Sequence, residues 1–118
     1  MNGFGVAYYS NGEYYQGMFQ NGMRHGRGTE QFSGGEKFDG QFEANKKFGY
    51  GVYFFIDGTI FEGNWENNKR NGYGTMKYAN GDVYYGEYKN DKRHGKGNYT
   101  DFTGNVYDGE WINGIKQG

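Results

Sequence analysis

The sequence predicts an all-β fold: an elongated, single-layer antiparallel β-meander of stacked β-hairpins, with no helices of note. Three observations support this prediction. A pattern of 23 residues recurs along the whole chain, 21 of the 24 glycines fall at only four places in that pattern, and aromatic residues alternate with glycine. Repetition at a fixed period is typical of architectures in which each unit contacts only its neighbours.

The period also predicts how the chain is divided. Gly-x-Gly begins at positions 3, 26, 49, 72 and 95, and the series continues with Gly118. We therefore expect a single repeat array over residues 1–118, with units at 3–25, 26–48, 49–71, 72–94 and 95–117. Because the chain begins and ends in phase and no unit resembles a cap, we expect it to be a section of a longer array.

Each unit is expected to form one hairpin, and the central unit is the most apolar of the five. Its strands are predicted at Tyr50–Phe55 and Thr59–Trp65, because both segments alternate with a period of two. A three-residue loop ending in Gly58 is a type I turn followed by a left-handed residue, a position that favours glycine. This loop sets two further glycines opposite each other, Gly51 and Gly63.

The second strand of every unit carries an aromatic residue, a glycine and an aromatic residue at alternate positions, as in Phe61, Gly63 and Trp65. Alternate side chains share one face of a strand, so one face of the sheet should be packed and the other more exposed to solvent. The rings should lie over the strand glycines, with Gly49 opposite Trp65. A single-layer sheet has no second layer, so we expect this face to be only partly buried. The glycines predicted to be structural are Gly26, Gly28, Gly49, Gly51, Gly58, Gly63, Gly72, Gly74, Gly81 and Gly86.

Several segments resemble the MORN repeat family, whose pattern is roughly Tyr-x-Gly-x-Trp, a short basic loop ending in His-Gly-x-Gly, and an Asn/Asp-Gly turn. The matching segments are Phe61–Trp65, Asp91–Gly97 and Asn80-Gly81, and the resemblance covers the whole chain. Only two units keep the histidine, as His25 and His94. The resemblance implies an elongated, twisted sheet of stacked hairpins and makes lipid binding a standing expectation. It also points to an intracellular, cytoplasmic setting beside cytoskeleton, cilia or membranes in eukaryotic cells.

Composition argues against several classes of function. The formal net charge is −1, so no global attraction draws the chain to nucleic acid, and there is no cysteine for a disulfide or a thiolate metal site. His25 and His94 stand three units apart, about 30 Å along the sheet, and cannot share a metal. No acid–base pair or phosphate-binding loop stands out. We therefore expect no enzymatic activity, no cofactor and no nucleic-acid partner.

Two surfaces are candidates for binding. The basic residues near the inter-hairpin loops should form a row along one edge: Arg24, Lys46, Lys47, Lys69, Arg70, Lys92 and Arg93. Such a row could bind anionic lipid headgroups or acidic protein segments, or serve only to keep strand edges from pairing. The aromatic face could form a groove for a peptide or helix, although its rings also fill the core. The candidate groove residues are Tyr50, Tyr53, Phe61, Trp65, Tyr73, Tyr84 and Tyr88.

These surfaces correspond to two rival functions. The first is a non-enzymatic scaffold that binds another protein along the aromatic groove and associates with itself through open terminal strands. The second is a peripheral membrane module that binds anionic phospholipid headgroups through its basic edge. Positions that vary between units, such as Tyr50, Tyr53 and Tyr73, are the better candidates for specificity.

Overall fold

The structure is a computed structural model that describes residues 2–117, and one antiparallel sheet contains all the strands of that region. The strands are β1 Gly3–Tyr8, β2 Tyr14–Gln20, β3 Met23–Gln31, β4 Lys37–Glu43, β5 Lys46–Phe54, β6 Ile60–Glu66, β7 Lys69–Lys77, β8 Val83–Lys89, β9 Lys92–Thr100, β10 Val106–Ile112 and β11 Ile115–Lys116. They pair in sequence order, and the array measures 50 × 24 × 18 Å. The predicted all-β meander is confirmed, whereas Gly118, predicted to begin a sixth unit, lies outside the described residues. Between residues 2 and 117 no helix is long and apolar enough to cross a membrane.

Each unit closes its hairpin with the three-residue loop that the glycine positions predict. In the central unit the Phe55 N–H donates to the Thr59 oxygen at 2.9 Å, and the Gly58 N–H donates to the Phe55 oxygen at 3.1 Å. Gly58 has a φ of 96°, in the left-handed region where a side chain would be strained. The predicted register is confirmed, with Gly51 opposite Gly63.

The connections between hairpins differ from the prediction. The sequence predicts short basic loops, but the structure has two-residue turns. Both residues of Ala44-Asn45 have positive φ, 49° and 70°, and those of Asn67-Asn68 have 50° and 70°. These signs are typical of a type I′ turn, whose twist matches that of the strands it joins. The basic residues therefore lie inside strands, since β5 begins at Lys46 rather than Tyr50 and β7 begins at Lys69.

A β-bulge beside each of these turns determines which way the basic residues point. Gly63 of β6 pairs with Gly74 of β7, but Trp65 pairs with Arg70, so one residue of β6 faces three of β7. Gly72 lies in this bulge with a φ of 100°. The bulge adds two residues, so the alternation is preserved and Arg70 shares a face with Trp65. The first glycine of Gly-x-Gly is thus needed for its backbone conformation, not for the predicted space under a ring.

The core is a continuous ladder of rings on one face of the sheet, which we call the inner face; the opposite side is the outer face. Neighbouring rings meet edge to face, as in Phe61–Trp65 at 5.5 Å and 88° and Phe61–Tyr88 at 5.1 Å and 81°. This is a preferred aromatic geometry. The inner face is more buried than predicted, because rings of successive units cover one another. Among the second-strand aromatics of the inner face, only Phe19 and Tyr107, at the two ends of the described array, are half-buried rather than buried.

Replacing Gly74 by alanine should destabilise the sheet. The new Cβ would overlap the Phe61 ring, which is fully buried, and overpacking of this kind typically costs about 1–3 kcal/mol of unfolding free energy. Urea denaturation of the purified chain measures this loss. Gly34→Ala is the control, since only chain neighbours lie within 4 Å of a Cβ built at that position, so stability should be unchanged or slightly higher. Equal effects of the two substitutions would contradict the packing role.

Candidate binding faces

The seven predicted groove residues do not share one surface. Four of them belong to the core and are closed to a partner. These are Phe61, Trp65, Tyr84 and Tyr88, each at most 6% exposed. Tyr53 lies half-buried on the inner face, whereas Tyr50 and Tyr73 lie on the outer face and are exposed. The single predicted groove therefore divides into two surfaces with different chemistry.

A second row of rings keeps the inner face partly accessible. It consists of five half-buried residues: Phe32, Tyr53, Phe55, Tyr78 and Tyr99. Tyr53 lies 4.7 Å from Phe55 and 5.8 Å from Phe32, between ring centroids. Phe32, Phe55 and Tyr78 are not among the candidate groove residues predicted from the sequence. Their recurrence at one place in the period was the available signal.

Two tyrosines of this row are fixed by carboxylates that follow the preceding turn. Tyr53 Oη donates to Glu36 Oε1 at 2.7 Å, and Tyr99 Oη donates to Asp82 Oδ2 at 2.6 Å. Burial and then the neighbouring carboxylate raise the pKa of Tyr53, and the same two causes raise the pKa of Tyr99 to about 12. Asp82 Oδ1 also accepts the Phe102 N–H at 2.8 Å, so each carboxylate orders the next turn as well as a ring.

The sheet separates the predicted basic row into two sets. The second residue of β3, β5, β7 and β9 points to the inner face and lies over the core rings: Arg24, Lys47, Arg70 and Arg93. The Arg70 guanidinium lies 5.6 Å from the centroid of Phe61 and 5.2 Å from that of Tyr88, and the Arg93 guanidinium lies 4.3 Å from that of Trp111. These are cation–π distances, so the four inner cations stabilise the ring ladder.

The three inner arginines are held by the turn of the next unit, and the Arg93 guanidinium donates to the Gly114 main-chain oxygen at 3.4 Å. The Arg70 N–H donates to Asp91 Oδ1 at 2.8 Å, and its guanidinium donates to the Asp91 main-chain oxygen at 2.8 Å. Arg24 makes the same two bonds to Asn45 and adds an ion pair with Glu30 at 2.9 Å. The second turn residue therefore links one hairpin to the following one.

Lys47 is the inner cation without an acceptor for its charge. Its Nζ lies 5.4–5.9 Å from the centroids of four rings: Phe32, Phe38, Tyr53 and Trp65. Within the described part of the chain, no carboxylate oxygen lies within 4.0 Å of this ammonium. Burial is the main cause that lowers the pKa of Lys47, because the ammonium loses hydration.

The first residue of each basic pair stays in solvent. Lys46, Lys69 and Lys92 begin β5, β7 and β9 and are exposed, about 10 Å apart at two strand spacings. Glu43 pairs in register with Lys46 across its turn, and Glu66 with Lys69. These carboxylates reduce the positive potential along this edge of the array.

The inner face forms a groove with connected recesses. The largest has a volume of about 420 Å³ and is lined by Glu36, Phe55, Ile56, Asp57, Thr59, Arg70, Met76 and Tyr78. A neighbouring recess of about 240 Å³ is lined by Lys47, Tyr53, Phe55, Trp65, Asn68, Arg70 and Asp91. Phe55 and Arg70 line both, so the two recesses adjoin. Concave sites with apolar walls and a few polar groups are typical of binding sites.

Among the described residues, the groove contains groups that can bind a partner but no cluster of side chains that could hold a metal ion. Across residues 2–117 no group of three histidine, aspartate or glutamate side chains lies close enough to hold a metal ion. His25 belongs to β3 and His94 to β9, so the structure does not bring the two histidines together. The rings and cations can instead bind apolar and acidic groups.

Sequence comparison agrees with this architecture. The model of the MORN repeat matches six successive segments, residues 1–14, 15–37, 38–60, 61–83, 84–106 and 107–118. The chain belongs to the MORN repeat family. The complete MORN segments are 23 residues long and begin at a buried ring, so they share our period but start at a different place in it. No curated protein matches the chain. MORN repeats are in general interaction or membrane-binding modules rather than enzymes.

The buried hydroxyl of Tyr88 predicts a stabilising substitution. No partner for this Oη lies within hydrogen-bond distance among the described residues. Tyr88→Phe introduces the residue found at the equivalent positions Phe19 and Phe42. It should raise the free energy of unfolding by about 1 kcal/mol, because it removes an unsatisfied polar group. Tyr84→Phe is the control, since it deletes the hydrogen bond from Tyr84 Oη to the Glu87 oxygen at 2.9 Å and should not stabilise.

Alkaline pH provides a second measurement on the same variants. Burial raises the pKa of Tyr88 above its ordinary value of 10.0 and that of Tyr84 to about 12. Tyrosines of the unfolded chain ionise at a lower pH than these tyrosines of the folded chain. The stability that the buried neutral phenols contribute is therefore fully present below pH 10, and it is lost as the pH rises through the folded-state pKa values. Urea denaturation should show this loss, and the loss should be smaller in Tyr88→Phe. A stability that stays constant above pH 10 would contradict the burial of these phenols.

Proposed function

We propose that this MORN array is a protein-binding scaffold whose inner groove takes an acidic segment with regularly spaced apolar side chains. One observation carries the proposal: accessible rings and an ammonium without an acceptor meet in one recess. Tyr53 and Phe55 offer apolar contact there, and Lys47 offers charge. Aromatic and cationic side chains in a concave site are frequent anchors of protein interfaces.

The electrostatics favour an acidic partner. Lys47 has lost part of its hydration to four rings, and a carboxylate supplied by the partner would form a charge-assisted hydrogen bond with it. Arg70 lines the same recess but is already bonded to Asp91. We therefore assign the anchoring contact to Lys47 rather than to Arg70.

The repeat sets the period of the partner. Successive units stand about 10 Å apart along the groove, which is two strand spacings. An α-helix rises 1.5 Å per residue, so about seven of its residues span one unit. A helix with an apolar side chain every seventh residue would place one in each recess. Such a helix is the occupant that we propose.

Selection from a library of displayed helical peptides tests this proposal. We expect the selected peptides to be rich in Asp or Glu and to carry apolar residues about seven positions apart. Lys47→Glu should weaken their binding about tenfold or more, because it reverses the anchoring charge. Tyr78→Ala should weaken binding by a similar factor, because it removes a wall of the largest recess. Isothermal titration calorimetry measures both effects.

The controls make the same changes outside the groove. Lys69→Glu reverses an exposed charge at the array edge, and Tyr73→Ala removes an exposed ring from the outer face. Neither should change the affinity more than about twofold, since exposed charge contacts contribute little. Selected peptides that lack acidic residues, or equal losses in Lys47→Glu and Lys69→Glu, would refute the groove as the binding site.

An anionic membrane surface is the alternative partner, and the row of exposed lysines favours it. In that case vesicles containing phosphatidylserine should float the chain, and a triple variant with glutamine at Lys46, Lys69 and Lys92 should no longer float. Because Glu43 and Glu66 offset two of these charges, we expect the unaltered chain to stay mostly unbound at physiological salt. Strong flotation that the triple substitution abolishes would establish the membrane function instead.

A further inference from the structure

The outer face carries a second recess, at the centre of the array, with different chemistry from the inner groove. Its volume is about 310 Å³, and it is lined by Tyr50, Glu62, Gly63, Asn64, Tyr73, Gly74, Thr75 and Tyr85. The three tyrosines come from β5, β7 and β8 and are 53–56% exposed. Their rings form the walls, and the facing glycines Gly63 and Gly74 bring bare backbone to the floor.

Two carboxylates accept hydrogen bonds from tyrosines that form the walls of this recess. Tyr50 Oη donates to Glu62 Oε2 at 3.5 Å, and Tyr73 Oη donates to Glu87 Oε1 at 3.0 Å. Tyr73 also stacks on Tyr85, with centroids 6.4 Å apart and an angle of 28° between the rings. The Glu87 hydrogen bond raises the pKa of Tyr73, so this phenol stays neutral. Ring faces and carboxylates attract the same kind of ligand, an organic cation.

The preceding unit shows what this position binds when the chain supplies the cation itself. There Arg27 stands at the place of Tyr50 and Asp39 at the place of Glu62, and their side chains pair at 3.4 Å. In the central unit tyrosine replaces the arginine, so the carboxylate is bordered by a ring instead of a guanidinium.

One lysine of the chain competes for the same carboxylate. Lys77 Nζ lies 3.4 Å from Glu62 Oε1, but the lysine is 58% exposed. An exposed pair of this kind contributes little, so an incoming cation can displace it.

We propose that this recess binds an arginine side chain from a basic segment of another protein. A guanidinium is planar, stacks on tyrosine rings and donates two parallel N–H groups to a carboxylate such as that of Glu62. The Tyr50 and Tyr73 backbones stand two strands apart, about 10 Å, and the recess of about 310 Å³ that their rings border has room for one flat side chain. The array thereby takes a basic segment on its outer face, independently of any acidic segment in the inner groove.

Titration with the peptide acetyl-Gly-Arg-Gly-amide, followed by nuclear magnetic resonance of the labelled chain, tests this inference. The largest shift changes should occur at the amides of Gly63, Asn64 and Gly74, which line the recess. Glu62→Gln should weaken binding about fivefold or more, because the carboxylate partner is lost. Lys77→Gln should strengthen binding about twofold, because the competing ammonium is removed.

Matched variants separate this site from general attraction between charges. Asp108→Asn makes the same charge change at the equivalent place of the last unit, where Lys96 stands in the position of Tyr50, and should leave binding unchanged. Lys89→Gln is the corresponding control for Lys77→Gln and should leave binding unchanged.

Four results would overturn the inference. Shift changes spread over the whole surface would mean that the peptide has no site. Equal weakening by Glu62→Gln and Asp108→Asn would mean that net charge alone attracts it. Tighter binding of the corresponding lysine or trimethyl-lysine peptide would mean that the recess selects an ammonium rather than a guanidinium. Tyr73→Leu, an exposed change that leaves the core intact, should weaken binding, and unchanged affinity would also refute the site.

Discussion

The structure depends on one contact, that between a second-strand ring and a pair of facing glycines. Phe61 covers Gly63 and Gly74, and Phe38 covers Gly40 and Gly51 in the same way. Neither glycine of a pair has room for a Cβ, so the ring approaches the backbone of two strands at once. This close approach lets a sheet of one layer bury its core, because each ring is covered on its other side by the ring of the next unit.

The inner cations add electrostatic contacts to the ring ladder. A basic residue that follows each type I′ turn is brought over the rings by the β-bulge, and Asn45 or Asp91 of the next unit then fixes it. Positive charges that are adjacent in the sequence thus differ in the structure. Lys46 and Lys69 remain in solvent, whereas Lys47 and Arg70 stabilise the core. The charge that an approaching partner meets is therefore different on the two faces and along the edge.

Second-strand rings and glycines that recur in every unit form the core, whereas residues that differ between units contribute to the two recesses. Tyr78 and Lys47 distinguish the inner groove of the central units, while Tyr50, Glu62 and Tyr85 distinguish the outer recess. A repeat array can vary these positions without disturbing the ring ladder, because each unit contacts only its neighbours. Two faces of one sheet can accordingly carry two binding chemistries.

The sequence by itself determined the fold class, the 23-residue unit, the three-residue loop and the glycine register, since these follow from local backbone preferences and from the parity of a loop. Only the tertiary structure decided three other properties. The type I′ turns were missed although Asn21-Gly22 and Asn113-Gly114 carry the usual glycine signal, because the other three turns have alanine, asparagine or aspartate in left-handed conformations, as at Ala44-Asn45. The bulge at Gly72 placed Arg70 on the core. Edge-to-face contacts with rings of neighbouring units, Phe61 with Tyr88 and Trp65 with Phe38, buried Phe61 and Trp65. These properties arise from contacts between neighbouring hairpins, which no pattern within a single unit records.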